Sequence, residues 1–377
     1  MTYTRASAVT VSVKERPKAL YGPPSGPVAT GRPARSASCW RLSTLAALRS
    51  GALDAVLGHD TFDHSLGVTA SGRLTLTPVS SAASVDNLQQ LADLAGRPVA
   101  TGPEGGPYNA FGRSFTETVT ASGRLTLTPV SSAASVDNLQ QLADGSVDLA
   151  LTTADVAEDA VLGHDTFDHS LGVTALARVY VNYLHLLAPA DGPVRELADL
   201  AGRPVATGAV GSGLQVTAAR LLRQAGIGVR QHSLGLADSL AALRSGALDA
   251  VFWSGGVPTS AVSALARELP LRFVPLDAVA AQLRERYGPV YTGVTLPAGA
   301  YGLAGPVATL GVGNYLTARP GVPEDAVRQL LGILFDRWAT LLRSVTAGAR
   351  LEPRFAVSTG AVPLHPGAAA YYRSVYG

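Results

Sequence analysis

From about residue 98 onward the sequence predicts an α/β fold in two lobes, and three observations carry that expectation. First, a glycine-rich loop follows an apolar strand-like run and precedes a helix-like segment at two places. One is Thr101-Gly102-Pro103-Glu104-Gly105-Gly106-Pro107-Tyr108, after Pro98-Val99-Ala100; the other is Thr207-Gly208-Ala209-Val210-Gly211-Ser212-Gly213, after Pro204-Val205-Ala206. In that order the loop N–H groups and the positive end of the helix dipole face outward, an arrangement that suits an anion. Second, short apolar or β-branched runs alternate with helical patterns along the chain, the signature of largely parallel sheets. Third, 377 residues with 47% hydrophobic and 15% charged side chains support more than one core and argue against extensive disorder.

The elements follow in order. A helix is expected over Phe111 to Val119, then a strand over Arg124 to Pro129, where polar and apolar residues alternate. Ser135 or Asp137 is placed to cap a helix running from Val136 to Ala143, and Gly145-Ser146 turns the chain into a buried strand, Val147 to Thr153. The apolar segment Ala175 to Ala188 is long and β-branched enough to cross between lobes, ending at Pro189 and Gly192. In the second lobe a helix over Leu214 to Ala225, another over Ser239 to Ser245 and a strand over Leu248 to Trp253 are expected. Leu271 to Leu276 and Tyr291 to Leu296 read as further strands, Thr309 to Thr317 as a returning hinge strand, and Glu324 to Leu342 as an amphipathic helix.

Several function classes are excluded or left without support. The net charge is +2, and no basic block or aromatic-interleaved basic face marks a nucleic-acid partner. Cys39 stands alone, so neither an intramolecular disulfide nor a Cys/His zinc pattern is available. No run of eighteen apolar residues indicates a transmembrane helix, and no apolar stretch follows Arg5, Lys14, Arg16 and Lys18 to make an export signal visible. His164-Asp165-Thr166-Phe167-Asp168-His169 resembles a metal constellation, but it reads as a surface loop, and no metal or other cofactor is expected. Paired catalytic carboxylates and a nucleophile-elbow Ser-His-Asp set are not evident, so enzyme is the weaker class.

The first 97 residues form a mosaic. Leu45 to Val56 repeats Leu240 to Val251, Asp54 to Ala70 repeats Asp159 to Ala175, Ala70 to Asp93 repeats Ala121 to Asp144, and Leu91 to Gly102 repeats Leu197 to Gly208. True repeat architectures keep one period and stack diverged units in order, whereas these copies have four offsets and are identical at polar positions too. Recombination or artificial assembly explains them better, and 1–97 is expected to be an appendage whose pieces have lost their native neighbours.

Eight words in order give the body a family resemblance: TGPEGGPYNAFG, SSAASVDNLQQLADGSVDLALTTADVA, YVNYLHLLAP, LADLAGRPVATGAVGSGLQVTAARLL, GALDAVFWSGGVPT, VTLPAGAY, GVGNYLTARPGVPEDAV and VPLHPGAAAYYR. Together they resemble the TAXI-type solute-binding proteins of tripartite ATP-independent periplasmic (TRAP) transporters. The resemblance implies a type II periplasmic-binding-protein fold, with 98–184 and 311–377 as lobe I, 185–310 as lobe II, and two crossing strands between. It also implies an extracytoplasmic receptor, periplasmic or lipid-anchored, that delivers a small organic acid or amino acid, glutamate- or dicarboxylate-like, to the membrane subunits of a transporter. The alternative on the same fold is a ligand-sensing module for a signalling partner.

Candidate ligand-binding residues sit at strand ends and in the glycine loops. Thr101, Gly102, Gly105, Gly106 and Tyr108 form a first wall, where glycines allow close backbone approach. Ser131, Ser132, Thr152 and Thr153 offer hydroxyls to a carboxylate, and Asp155 an acceptor for an amino group. Gly208, Gly211, Ser212 and Gly213 present N–H donors from the second lobe, with Trp253, Ser254, Gly255 and Gly256 closing the opposite side. No arginine lies within these motifs, so a bidentate carboxylate clamp is not assigned; Arg113 and Arg178 are the nearest candidates.

Overall fold

The computed structural model describes residues 10–11, 64–68, 74–78, 96–104, 106–341 and 351–376. The chain divides into Met1–Gly96 and Arg97–Gly377. In the first unit, β1 (Thr10–Val11), β2 (His64–Val68) and β3 (Leu74–Pro78) form an antiparallel sheet in the order β1-β3-β2. The remaining expectations for the appendage lie outside the described residues.

The second unit is organised by β4 (Arg97–Gly102), whose residues duplicate 203–208. It is buried along its length and runs parallel between β5 (Leu127–Ser131) and β6 (Leu149–Thr153). The duplicate strand therefore fills the middle position of a parallel trio, β5-β4-β6. It does so with the same polar anchor at both sites. Arg97 is 2% exposed and bonds Asp148 at 3.2 Å, and Arg203 bonds Asp249 at the same distance beside β8 (Pro204–Ala206). Matching backbone bonds, Asp148 N–H to the Pro98 carbonyl and Asp249 N–H to the Pro204 carbonyl, set the register of the next strand in each case. Arg319 holds the other oxygen of Asp148 at 2.8 Å, so this buried carboxylate has a cation on both sides.

Around β4 to β6 pack α1 (Pro107–Ala121), α2 (Ser135–Ala143) and α3 (Ala154–Leu162). α1 approaches β4 closely because Gly112 has no side chain: a Cβ there would lie 2.3 Å from the Thr101 methyl. Phe111, Phe115 and Val119 recur at helical spacing on the buried face of α1, the amphipathic pattern that drives it onto the sheet.

β7 (Thr174–Pro189) then crosses the molecule, with β13 (Val307–Ala318) antiparallel to it along most of its length. Beyond it, β8 pairs parallel with β9 (Arg230–His232) and with β10 (Ala250–Gly255), which closes back on β7. The helices of this half are α4 (Gly213–Ala225), α5 (Leu236–Arg244), α6 (Ser260–Glu268) and α7 (Asp277–Tyr287). β11 (Leu271–Phe273) and β12 (Tyr291–Leu296) pair with β7 and β13 respectively. The result is one ten-stranded sheet, β5-β4-β6-β13-β7-β10-β8-β9 with β11 and β12 off the path. Two parallel trios are joined by two long antiparallel strands. After β13, α8 (Glu324–Asp336), α9 (Trp338–Leu341), α10 (Pro353–Ala356) and α11 (Pro366–Tyr376) return to the first half, where Phe335 of α8 stacks on Tyr371 of α11.

Among the boundaries that differ from the sequence reading, two have a local reason in the structure. The strand expected at Arg124 begins at Leu127, because Arg97 pairs opposite Leu127 and the residues before it have no partner strand. The helix expected to run to Leu342 stops at Asp336, since Arg337 leaves helical geometry with φ −114°.

Candidate ligand-binding site

Four helices begin around one buried polar cluster. Tyr108 lies in the first turn of α1, Ser135 starts α2, Thr153 precedes α3 and Gly213 starts α4. The first three come from one trio of strands and the fourth from the other. They meet closely: a Cβ on Gly213 would lie 2.3 Å from Thr153 Oγ1 and 2.9 Å from Ser135 Oγ. The Val136 N–H of α2 donates to the Gly211 carbonyl across the same gap at 3.0 Å. α1, α2 and α3 have no side-chain hydrogen bond from their N-cap residues, and their positive dipole ends lie at the cluster; the Val136 N–H is taken by Gly211 and the Val156 N–H by Asp155. Ala134, the residue before α2, has φ +102°, a strained backbone for a residue with a Cβ, costing on the order of 1–3 kcal/mol.

The cluster itself is a directed hydrogen-bond chain. Thr153 N–H donates to Ser135 Oγ at 3.2 Å, Ser135 Oγ contacts the Tyr108 hydroxyl at 3.3 Å, and Tyr108 donates to Asn314 Oδ1 at 2.7 Å. Because Tyr108 spends its proton on Asn314, Ser135 must donate to Tyr108. Asn182 Nδ2 also reaches Asn314 Oδ1, at 3.4 Å. Burial, with the charge of Asp155, pushes the Tyr108 phenol well above its usual range while Ser135 opposes the shift, so it stays a donor. In this cluster Thr153 Oγ1 and Asn182 Oδ1 are buried without a partner inside the protein, as are the Tyr180 hydroxyl and, after β8, Thr207 Oγ1. Each such group costs about 1–3 kcal/mol when left unsatisfied, a cost that a bound molecule supplying partners would remove.

The structure separates the sequence candidates. Tyr108, Thr153 and Gly213 join this cluster. Thr101 faces away, bonding the Val130 carbonyl and packing on Gly112. Ser131 and Ser132 strap the loop: Ser131 Oγ donates to the Gly102 carbonyl, and Ser132 Oγ accepts the Gly102 N–H at 2.7 Å and contacts Asn138. Gly102 needs its positive φ of +83°, and Gly106 precedes α1 as its N-terminal boundary residue. Gly105 lies outside the described residues. Thr152 is fully buried on β6, and its hydroxyl turns to the Thr153 carbonyl. Ser212 caps α4 by accepting the Gln215 N–H, and Gly208, with φ +97°, packs on Leu214. Gly211 supplies the carbonyl that meets α2.

Trp253, Ser254 and Gly255 end β10, where Gly255 pairs opposite Tyr183, the neighbour of Asn182, and Gly256 follows. The Trp253 indole donates to Thr259 Oγ1 at 3.0 Å and packs over Gly255, while the Gly256 carbonyl accepts from Thr259. Arg113 is exposed on α1 near Glu104, and Arg178 lies across Gly313 on the crossing strands. Asn182, Asn314, Tyr180 and Thr207 are not among the sequence candidates for ligand binding, and Ser135 is expected there only as a helix cap. The signal for the asparagines was available: each interrupts an otherwise apolar crossing strand, in VYVNYLHLL and GVGNYLT, where a buried amide is disfavoured unless it is used.

Asp155 is committed to the protein. Its carboxylate accepts from Thr217 Oγ1 at 2.8 Å, the Tyr291 hydroxyl at 2.9 Å and the Val156 N–H. One turn further along α3, Asp159 is 1% exposed and receives Arg220 at 2.5 Å and Thr166 at 2.7 Å. Arg220 also reaches Asp165 at 2.9 Å and Tyr291 at 3.3 Å, and lies 4.4 Å over the Tyr287 ring. A buried network thus ties α3 to α4 and β12. Asp159, His164 and Asp165 have side-chain ligand atoms within 4.8 Å of one another, but the Arg220 guanidinium already occupies both carboxylates and repels a cation there. Asp168 and His169 pair with each other at the surface.

His185 on β7 illustrates a different burial. Its Nδ1 donates to the Tyr183 carbonyl at 2.8 Å, and Nε2 faces the Tyr301 hydroxyl at 3.1 Å, between Phe273 and Tyr301. Burial pushes its pKa down to about 4, against backbone hydrogen bonds to Tyr183 and Trp253 that favour the charged form. The unfolded chain protonates near pH 6.5, so this stabilisation is complete above that value and is lost as pH falls toward 4. The loss is expected to reach about 3 kcal/mol, and a His185→Gln variant should lack that pH dependence in urea titrations between pH 7 and 4.

A family profile described as the NMT1-like family matches residues 99–375. Similar solved structures include MatC from Rhodopseudomonas palustris with bound malate, at 18% identity and TM-score 0.46, covering 66% of this chain and 87% of that one. The alkanesulfonate-binding protein SsuA from Xanthomonas axonopodis pv. citri bound to MOPS is similar at 17% identity and TM-score 0.40, covering 66% and 77%. The GluR0 ligand binding core in complex with L-glutamate matches at 13% identity and TM-score 0.42, covering 66% and 98%. Among the described residues no helix is long and apolar enough to cross a membrane.

Proposed function

The chain belongs to the NMT1-like family, and from its architecture we infer a solute-binding receptor that captures a small organic anion between two lobes. The type II periplasmic-binding-protein arrangement places two α/β halves on either side of the crossing strands β7 and β13. We assign 98–184 with 311–377 to lobe I and 185–310 to lobe II. The observation that carries the reading is the convergence of four helix N-termini, three without side-chain caps, over buried polar atoms that lack protein partners. Fixed N–H dipoles there replace the water shell of a carboxylate, and closure of lobe II onto α2 shields the bound form. The finer reading is a TAXI-type receptor acting outside the cytoplasm, handing its solute to TRAP membrane subunits that draw on an ion gradient. The site holds and releases its ligand unchanged; no residue in it is assigned a catalytic role.

A thermal-shift screen of organic acids and amino acids tests this reading. A ligand at a hundred times its Kd adds about 2.7 kcal/mol of stability, an easily measured shift. A reproducible shift with one acid, recovered unchanged from the complex, supports the receptor; turnover of that acid, or no shift with folded protein, overturns it.

A further inference from the structure

The orphaned atoms of the cluster differ in what they ask of a ligand. Asn314 is oriented by its neighbours: a carbonyl can only accept, so the amide nitrogen faces the Tyr180 carbonyl at 3.5 Å, leaving Oδ1 to Tyr108 and to Asn182 Nδ2. That spends the donor end of Asn182 and leaves its Oδ1, in a side chain 4% exposed, as a buried acceptor with no donor. Thr153 Oγ1, in the same cluster, is buried and unpartnered too, as are Thr207 Oγ1 and the Tyr180 hydroxyl. A carboxylate satisfies hydroxyls and helix N–H groups but has nothing to give Asn182 Oδ1. Charge limits the ligand as well. The sequence has lysine only at 14 and 18, and among the described residues no arginine hydrogen-bonds Tyr108, Ser135, Thr153, Asn182 or Asn314. The charge that acts on Tyr108 of the cluster is negative, on Asp155, two residues beyond Thr153.

We propose that the ligand is an α-amino or α-hydroxy acid with one carboxylate and an uncharged tail, its amino or hydroxyl group donating to Asn182 Oδ1. This rests on the receptor reading above and narrows it away from dicarboxylates. Helix N-termini suit one carboxylate; among the described residues no arginine is hydrogen-bonded to the cluster to meet a second.

Calorimetric titration of the full chain with matched acids tests it: glutamine against 4-carbamoylbutanoate, leucine against 4-methylpentanoate and lactate against propanoate for the donor, and glutamine against glutamate for the second charge. The expected result is that, for whichever pair binds, the amino or hydroxy acid binds at least tenfold tighter than its counterpart lacking the donor. The neutral-tailed acid is likewise expected at least tenfold tighter than the dianionic one. Asn182→Leu should shrink the donor preference to less than threefold. Equal binding within the pairs, or tighter binding of glutamate than of glutamine, overturns the inference while leaving the receptor intact. Failure of every acid to bind a folded protein overturns the receptor reading, and the inference with it.

Discussion

Arg220→Ala is expected to lower the unfolding free energy by about 3–5 kcal/mol at pH 7, the usual cost of removing one partner from a buried ion pair. The size of the effect lies in what is left behind. Asp159 is 1% exposed and would keep only Thr166 and a half-exposed His164, while Tyr291 loses the donor on its hydroxyl. Burial already pushes the Asp159 carboxyl upward, opposed by hydrogen bonds from Thr166 and Arg220 and by the guanidinium charge. Without Arg220 only Thr166 and the histidine resist the shift. A carboxyl whose folded pKa is raised contributes stability below its unfolded value that is lost as pH rises from there through the folded one, so the deficit of the variant should shrink on acidification. Urea midpoints at pH 7 and pH 5 check both statements. Adding Asp159→Leu to an Arg220→Met chain should recover much of the loss, since apolar replacements of similar volume remove the desolvation penalty. A loss below about 1 kcal/mol for Arg220→Ala would mean that the network does not tie α3 to α4 as its geometry indicates.

Gly213→Val is expected to abolish ligand capture, raising Kd by about a hundredfold or more, or ~2.7 kcal/mol, with the fold retained. Helix propensity alone gives no reason for the loss, because glycine is the poorer helix former. The reason is the space between α4 and β6: the added Cβ would lie 2.3 Å from Thr153 Oγ1 and 2.7 Å from its methyl, and Thr153 is β-branched and stiff. α4 must then retreat from β6, and the Gly211 carbonyl leaves the Val136 N–H. Gly213→Ala should show the same loss in weaker form, and Thr153→Ala should relieve it, a non-additivity expected only of residues in contact. Circular dichroism and melting separate this from unfolding. Wild-type affinity in Gly213→Val would show that the approach of α4 to β6 is not the closing contact.

Much of the body was legible in the sequence because it rests on local rules. Apolar runs that alternate with helical periodicity gave the α/β class, and Tyr291–Leu296 is a strand at the residues where its β-branched pattern lies. The glycine loops were legible for the same reason, since a strand turning sharply into a helix needs residues such as Gly102 and Gly208 at positive φ. The roles of the site residues were less legible. Ser132, Ser212 and Asp155 carry the polar chemistry expected of ligand contacts, yet their oxygens are taken by Gly102 and Asn138, by Gln215, and by Thr217 and Tyr291. Whether a polar atom is free depends on neighbours distant in the chain, such as Tyr291, 136 residues from Asp155.

The duplicated segments draw the same line within one molecule. Arg97–Gly102 and the identical 203–208 both make a buried parallel strand with its arginine on an aspartate, because the residues that decide this are the strand's own apolar face and an Asp that sits at the same place in the next strand. His64–Val68 is a strand opposite Leu74–Pro78, whereas the same five residues at His169–Val173 are not in a strand. Sequence by itself determined the α/β alternation, the glycine-loop geometry and the apolar faces, all properties of periodicity and backbone sterics. Only the tertiary structure decided which strands found partners, which carboxylates became ion pairs and which buried oxygens were left over, because a hydrogen bond needs both of its ends.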